Sequence, residues 1–236
     1  GFDAAYSSSS SYTMNTNGHN YMAYCWKAGG ARVANTDGTI ASQVSVNKEA
    51  GFSMVTYTGT GADGTVGHGL GKVPAVVIIK NRDRNVEWIV KHQKLSSGNI
   101  LYLNLNSGED GATGSNNGII GDLNNASTFS LTRTSNSGNY NNNNVTGEKY
   151  VAFCYAEIPG YSKFGIYRGN DSSDGVFNDC GFKPAIIITA GKNSSDAWVL
   201  WDNARDPDNV GHHRSYPNQA TVESTSISSG TSMVDF

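Results

Sequence analysis

Charge is scarce in this chain. Of its 236 residues only 16% are Asp, Glu, Lys or Arg, and the formal net charge is −3. Lys and Arg occur as scattered singles, so there is no electrostatic footprint for nucleic acid or for an anionic membrane surface. Cysteine is sparse too: Cys25, Cys154 and Cys180 show neither a CxxC pair nor a histidine at metal-ligand spacing, which argues against a zinc site. They read as small buried hydrophobes, or as one disulfide with a thiol left over. No apolar run approaches the roughly 20 residues needed to cross a bilayer. The first residues, GFDAAYSSSSSY, lack the basic start and apolar centre of a signal peptide. The chain begins at Gly1 rather than Met, as a processed product or a window cut from something longer would.

What the chain has instead is Gly, Ser, Thr and Asn, which must supply its solubility, and short runs of β-forming residues. FSMVTYT, AVVIIK, WIVKH, LYLNLN, TFSLTRT and KYVAFCY are rich in β-branched and aromatic side chains. Several alternate with period two, and Gly, Asn, Ser or Asp bound each of them. Nowhere does a 3.6-residue apolar period persist for about ten residues. About six strands per roughly 105 residues, joined by glycine-rich turns, predict β-sandwiches.

Internal repetition organises these strands. Residues 51–90 lie over residues 160–200 with one residue of slippage: Gly51 answers to Gly160, Tyr57 to Tyr167, Pro74 to Pro184 and Trp88 to Trp198. EKYVAFCYAE (148–157) closes the first unit, and its counterpart NYMAYCWKA (20–28) stands near the N-terminus. The second unit stops at Phe236, which answers to Phe129, where its last two strands should begin. The expected organisation is therefore four segments. Residues 1–26 supply strands completing the C-terminal unit, 27–50 form a connector ribbon around the N-T-D-G-T turn signal, 51–157 are the first sandwich, and 158–236 the second. Closure within the chain is expected, since tail and body together make two whole units. The alternative is a longer array in which each unit is finished by its neighbour. An unfinished sandwich would expose an apolar edge that proteins cover.

The residues WKAGG (26–30), NTDGTIASQVS (35–45), VGHGLGKVPAVVIIKNRD (66–83), YVAFCYAEIPGYSKFG (150–165) and WDNARDPDNV (201–210) together resemble a repeat domain of tailed-phage virion proteins. The type is that of marine-phage and metagenomic tail-fibre or tail-associated proteins, and the likeness covers nearly the whole chain. It implies an extracellular virion component, assembled with other virion proteins and with copies of itself, a trimer because phage fibres are commonly trimeric. Host-surface glycan is the implied contact, and the resemblance supplies no catalytic residues.

Candidate sites divide into structural and binding readings. GHGLGKVPAVVIIK (67–80) looks like a phosphate loop, but its glycines feed a β-branched run and not a helix. The second copy replaces His68 by Asn178 and Leu70 by Cys180 while keeping Gly71 and Pro74 as Gly181 and Pro184, so the stretch is a strand lead-in, with Cys180 directed into the core. Trp88 and Trp198 read as core anchors, one in each sandwich. Trp201 stands where the first copy has Lys91, a residue that normally faces water. With Arg205, His212, His213, Arg214 and Tyr216 it outlines a loop able to bind sugar. The opposing reading has Trp201 capping an edge while Asp and Arg pair with each other. Neighbouring His212 and His213 point to opposite faces of a regular strand, from which they would not share a metal, whereas a loop would allow it. NDSSDG (170–175) and DPDN (206–209) offer oxygen ligands for calcium but lack EF-hand spacing, and serve equally as turns. Glu109 and Asp110 lie in a glycine-rich loop expected to be too flexible for glycoside cleavage, and NYNNNN (139–144) reads as a hairpin tip or mobile loop.

The expectation is an all-β protein of two tandem sandwich units related by duplication, non-enzymatic and without an obligate cofactor. It would act by multivalent display, in a tail fibre or in a head-decoration or appendage role. The contrasting expectation is a carbohydrate-binding module of a secreted or surface protein.

Overall fold

The computed structural model describes residues 1–4, 15–19, 21–110, 119–132, 143–172, 174–206, 210–221, 223–224 and 234–235. Among them there is no helix, and every strand pair is antiparallel. Strands are numbered β1 to β14 along the chain. The main sheet combines β1 (Val33–Asn35), β2 (Ser42–Asn47), β3 (Phe52–Thr58), β5 (Val76–Asn81), β6 (Ile89–His92), β7 (Leu101–Tyr102) and β10 (Lys149–Tyr155), in the order β1-β2-β3-β10-β5-β6-β7. A three-stranded sheet, β4-β9-β8, is built from β4 (Gly64–Gly67), β8 (Ile119–Ile120) and β9 (Thr128–Thr132).

Alternation decides which side chains meet between these sheets. In β10, Tyr150, Ala152 and Cys154 point inward and are buried, whereas Val151, Phe153 and Tyr155 take the other face. Val55 and Tyr57 of β3, Val77 and Ile79 of β5, and Ile89 of β6 join the inward set. Val66, Ile120, Phe129 and Leu131 of the smaller sheet close over them, a sandwich arrangement. Tyr57 stacks on Tyr150 at 5.1 Å and meets Phe129 edge-on at 6.3 Å, so one ring bridges the two layers. The 27–50 segment forms its expected hairpin, but as an edge of the main sheet: β2 pairs with β3 along its length, and Ile40 and Val44 enter the core.

Phe164, Ala190 and Trp198, from beyond residue 157, lie against the outer face of the same sheet. Val76, Val90 and Leu101 form a second cluster there with Tyr155, Phe164, Ala190 and Trp198. The Trp198 indole N–H donates to the Tyr102 carbonyl at 3.0 Å. This corrects the expectation that Trp88 and Trp198 anchor the sandwich interiors. Ile89 takes the inward parity, which leaves Trp88 on the outer face, stacked on Phe153 at 6.3 Å, while Trp198 joins the two halves.

In the second half, among the described residues, β11 (Ile186–Thr189) pairs only with β12 (Val199–Asp202), and β13 (Val210–Gly211) only with β14 (Val234–Asp235). The β11–β12 register, Ile186 opposite Asp202 through Thr189 opposite Val199, is that of β5–β6 shifted by 110 residues. Gly71 and Gly181, each just before its proline, share the left-handed backbone, with φ of 70° and 75°, where a Cβ is strained. Residues 160–172 and 174–180 form no strand, although their first-half counterparts include β3 and β4. Among residues 1–26 the described ones form no strand either. Phe236 lies outside the described residues, as do residues 139–142 of the asparagine run. Asn143 and Asn144 of that run are buried and not at a mobile tip. The Asn144 side chain accepts the Thr60 N–H at 2.8 Å and donates to the Ala62 carbonyl at 2.5 Å.

All three thiols are free. Cys154 fits the buried reading, and burial pushes its pKa up to about 12. Cys25 is exposed and Cys180 only half-buried, contrary to the core position expected from its Leu70 counterpart, because no strand covers this part of the second half.

Ile79, fully buried between the sheets, and Val33, exposed on the edge strand, provide a test of this layering. Ile79→Ala is expected to lower unfolding free energy by about 2–5 kcal/mol, against no more than about 0.5 kcal/mol for Val33→Ala, measured by urea denaturation; comparable losses would contradict the core assignment.

Candidate functional site

The residues nominated for binding lie where β12 turns into the following loop. Trp201 is only 4% exposed, and its first-half counterpart Lys91 only 1%, so neither faces water. The reason is parity. Trp201 faces Ile187 across the β11–β12 pair and Lys91 faces the fully buried Val77 in the first half. The first half tolerates a cation there because Lys91 Nζ donates to the Asn99 carbonyl at 2.9 Å and pairs with Asp122 Oδ1 at 2.8 Å. Trp201 therefore cannot serve as an exposed platform for sugar.

The polar residues of the loop are drawn to one another. Asp202 Oδ1 accepts the backbone N–H groups of Ala204 and Arg205 at 3.2 and 3.0 Å, fixing a tight turn, and its Oδ2 pairs with Arg205 Nε at 2.7 Å. Arg205 Nη1 reaches the Ser215 hydroxyl at 2.8 Å and also bonds Glu223. Asp206 accepts the backbone N–H of both His212 and His213 at 2.7 Å, and its other oxygen meets His213 Nδ1 at 2.6 Å. Burial alone would raise the Asp206 pKa, but the His213 backbone, the His213 ring and the His212 backbone outweigh it and lower the pKa. The Arg214 guanidinium lies 5.9 Å from the centre of the Tyr216 ring, covering one of its faces. Leu200 and Ser215 exchange backbone hydrogen bonds of 2.9 and 3.0 Å, tying the loop to β12.

The structure thus brings Arg205, His212, His213 and Tyr216 onto one loop system but joins only His213 to a carboxylate by its ring. Among the described residues no three His, Cys, Asp or Glu side chains converge as metal ligands. In the 170–175 loop, Asn170 accepts from Ser172 N–H at 3.2 Å and donates to the Asp174 carbonyl at 2.9 Å, which is turn geometry. Ser173 of that loop and residues 207–209 of DPDN lie outside the described residues. Buried atoms without a hydrogen-bond partner among the described residues include Arg205 Nη2, His212 Nδ1 and Arg214 Nε.

Two surface cavities lie nearby. One, of about 340 Å³, is lined by Ser107–Asp110 and Asn193–Ser195. Here Glu109, expected on a flexible loop, is anchored: Lys192 Nζ pairs with it at 2.6 Å, and the Ser96 N–H and hydroxyl donate at 2.8 and 3.0 Å. Against the opposing effect of burial, these contacts hold its pKa at about 2. The other, of about 380 Å³, lies between Met22–Tyr24 and Ala185, Ile186 and Asp202–Arg205. Burial raises the pKa of its Tyr24 phenol while Arg205 opposes. Sequence reasoning did not nominate Met22 or Tyr24 as cavity residues. The available signal was their correspondence to Val151 and Phe153 of a central strand. His68, singled out in the sequence, is buried and structural: its Nδ1 accepts the Leu70 N–H at 3.2 Å, and burial lowers its pKa.

Asp122 links this electrostatics to stability. Hydrogen bonds from Lys91 first, then Ser97, depress its pKa to about 2. A depressed carboxylate contributes stability above its unfolded value of about 4, and this stability is lost as pH falls toward the folded value. Asp122→Asn and Glu109→Gln are each expected to flatten the fall in unfolding free energy between about pH 4 and 2. Because Asp122→Asn leaves a buried ammonium without its counter-charge, it should destabilise more at pH 7 than Lys91→Met does; urea titrations across this pH range check both, and the reverse order would contradict the pairing.

The sequence matches over residues 1–236 the family described as a domain of unknown function (DUF7483), and the chain belongs to that family. No curated protein matches it, and no solved structure does.

Proposed function

We propose that this DUF7483 chain is a non-enzymatic structural module of a virion, of the tail-fibre or tail-associated kind, displayed toward the host surface. The observation that carries the reading is how the ionisable groups are used. Arg205 is held by Asp202 and Glu223, His213 by Asp206, Arg84 by Glu148, and Glu109 by Lys192. Groups held this way stiffen loops, as a surface exposed for contact requires. The likeness of the sequence to phage repeat domains and its neutral, Asn- and Ser-rich surface support the same conclusion. Weak contacts repeated over copies would supply avidity, and a symmetric oligomer, a trimer by analogy with phage fibres, would provide the copies.

The reading includes a duplication. Its support reaches beyond the shared β5–β6 and β11–β12 registers. Gln93 donates its N–H to the Ala75 carbonyl at 2.8 Å, and Asn203 to that of Ala185 at 3.0 Å. Trp88 N–H bonds the Asn104 side chain at 2.9 Å, and Trp198 N–H bonds that of Asn218 at 3.1 Å. Ile100 bridges Asp110 as Arg214 bridges Ser224. Such matched pairs are what two sandwiches descended from one unit would keep.

A second reading, a carbohydrate-binding module, is favoured by the polar loop after β12, where Arg214 lies against the Tyr216 ring and the buried Arg205 Nη2 and Arg214 Nε have no hydrogen-bond partner among the described residues. The genes flanking this one test the first reading: tail or capsid genes are expected, and a metabolic neighbourhood would remove it. For the second, glycan-array binding should fall at least about tenfold in Arg214→Ala and Tyr216→Ala if the loop binds sugar, a loss of about 1.4 kcal/mol; undiminished signal in both variants excludes the loop as the site.

A further inference from the structure

Among the described residues, no strand of the second half stands for the central strand of the first. β10 lies between β3 and β5, hydrogen-bonded to both. β11, which answers to β5, has β12 on one side and, among the described residues, no strand on the other. The consequences appear at the positions such a strand would cover. Tyr57 and Val66 are 5% and 0% exposed, whereas their counterparts Tyr167 and Val176 are 58% and 41% exposed.

We propose that residues 21–26, YMAYCW, are that missing strand, inserted by the chain itself between β11 and residues 161–168. The inference rests on the duplication proposed above. Two independent observations support it. Residues 21–26 match YVAFCY at 150–155 position by position, with Tyr, Ala and Cys identical on the inward parity. The same residues stand beside the end of the β11–β12 pair, since Met22, Ala23 and Tyr24 line the 380 Å³ cavity together with Ala185, Ile186 and Asp202–Arg205. The register follows from the first half. Cys154 pairs with Val77 and Phe153 with Ile78, so Cys25 pairs with Ile187 and Tyr24 with Ile188. Ala23 and Cys25 then face the core of the second sandwich, with Cys180 turned toward it as Leu70 is in the first. The completed strand also removes an apolar edge that would otherwise recruit other chains.

The test uses the whole chain with Cys180→Ala and Ile187→Cys. Facing residues on antiparallel strands have Cα atoms about 4.5–5.5 Å apart, within disulfide reach. On oxidation with glutathione disulfide, peptide mapping is expected to find Cys25 linked to position 187 in a species that remains a single chain on a non-reducing gel. With Ile188→Cys in place of Ile187→Cys, the thiol points to the opposite face, and at least about tenfold less link should form. Equal yields, no link, or a link only between chains would overturn the proposal, the last assigning the strand to a second copy. Amide hydrogen exchange on the unaltered chain guards against misfolded variants. Residues 21–26 should exchange on the order of a hundredfold more slowly than the free peptide. Fast exchange there with slow exchange in β11 and β12 sinks the strand but leaves the duplication standing; fast exchange in β11 and β12 as well sinks the duplication.

Discussion

β10 pairs with β3 on one side and β5 on the other along its whole length, and the first half of the molecule depends on that double pairing. Without it, β1-β2-β3 and β5-β6-β7 would be two separate sheets, each with a long open edge. Its alternation then builds both sides at once. Tyr150, Ala152 and Cys154 seal the interior, and Phe153 and Tyr155 prepare the outer face for Trp88 and for the second half. Tyr150 also organises the edge of the core. Its hydroxyl accepts the Val145 N–H at 2.9 Å and donates to Glu148 at 3.1 Å, beside the Arg84–Glu148 pair. Burial raises the pKa of this phenol, keeping it neutral and able to donate.

The two halves differ at the strands available to them. The first has the β1–β2 hairpin covering one side of β3, and Gly67 leaves no room for a Cβ beside the Asn35 side chain. The second half has no such hairpin before it, and its residue at that position, Phe177, stands open to solvent. What the second half gains is contact with the first: Trp198, Phe164 and Ala190 cover apolar surface of the main sheet. Trp88 and Trp198, which stand at corresponding places in the sequence, have different tasks: Trp88 stacks on Phe153 within its half and Trp198 joins the halves. The loop after β12 follows the same economy of form, with Asp202, Asp206 and Arg205 holding backbone and side chains in place.

Much of the fold was legible in the sequence. Short β-branched runs bounded by glycine and asparagine specify strands, because side-chain alternation needs only local pattern to declare itself. Gly71 with Pro74, and Gly181 with Pro184, fixed where a strand begins, buried for β5 and half-exposed for β11, since φ constraints act within a few residues. The all-β class, the hairpin at Asn35–Thr39 and the shared lead-in all belong to this local information.

Exposure was decided only by the tertiary structure. Lys91 and Trp201 read as surface residues by type, yet both are buried, because burial depends on what a distant strand or loop lays over a position. Asp122, from far along the chain, and the nearer Asn99 carbonyl make the buried Lys91 tolerable, and no local pattern announces them. The loop at 205–216 was recognisable as polar, but its donors and acceptors could as well have faced a ligand as one another. Only the folded geometry, which brings Asp206 to His212 and His213 and Arg205 to Asp202 and Glu223, made that choice. Sequence by itself determined the short strand-forming runs of the first half, because these rest on neighbouring residues. Which faces are covered, and by what, rests on contacts between residues far apart, and those only the assembled fold supplies.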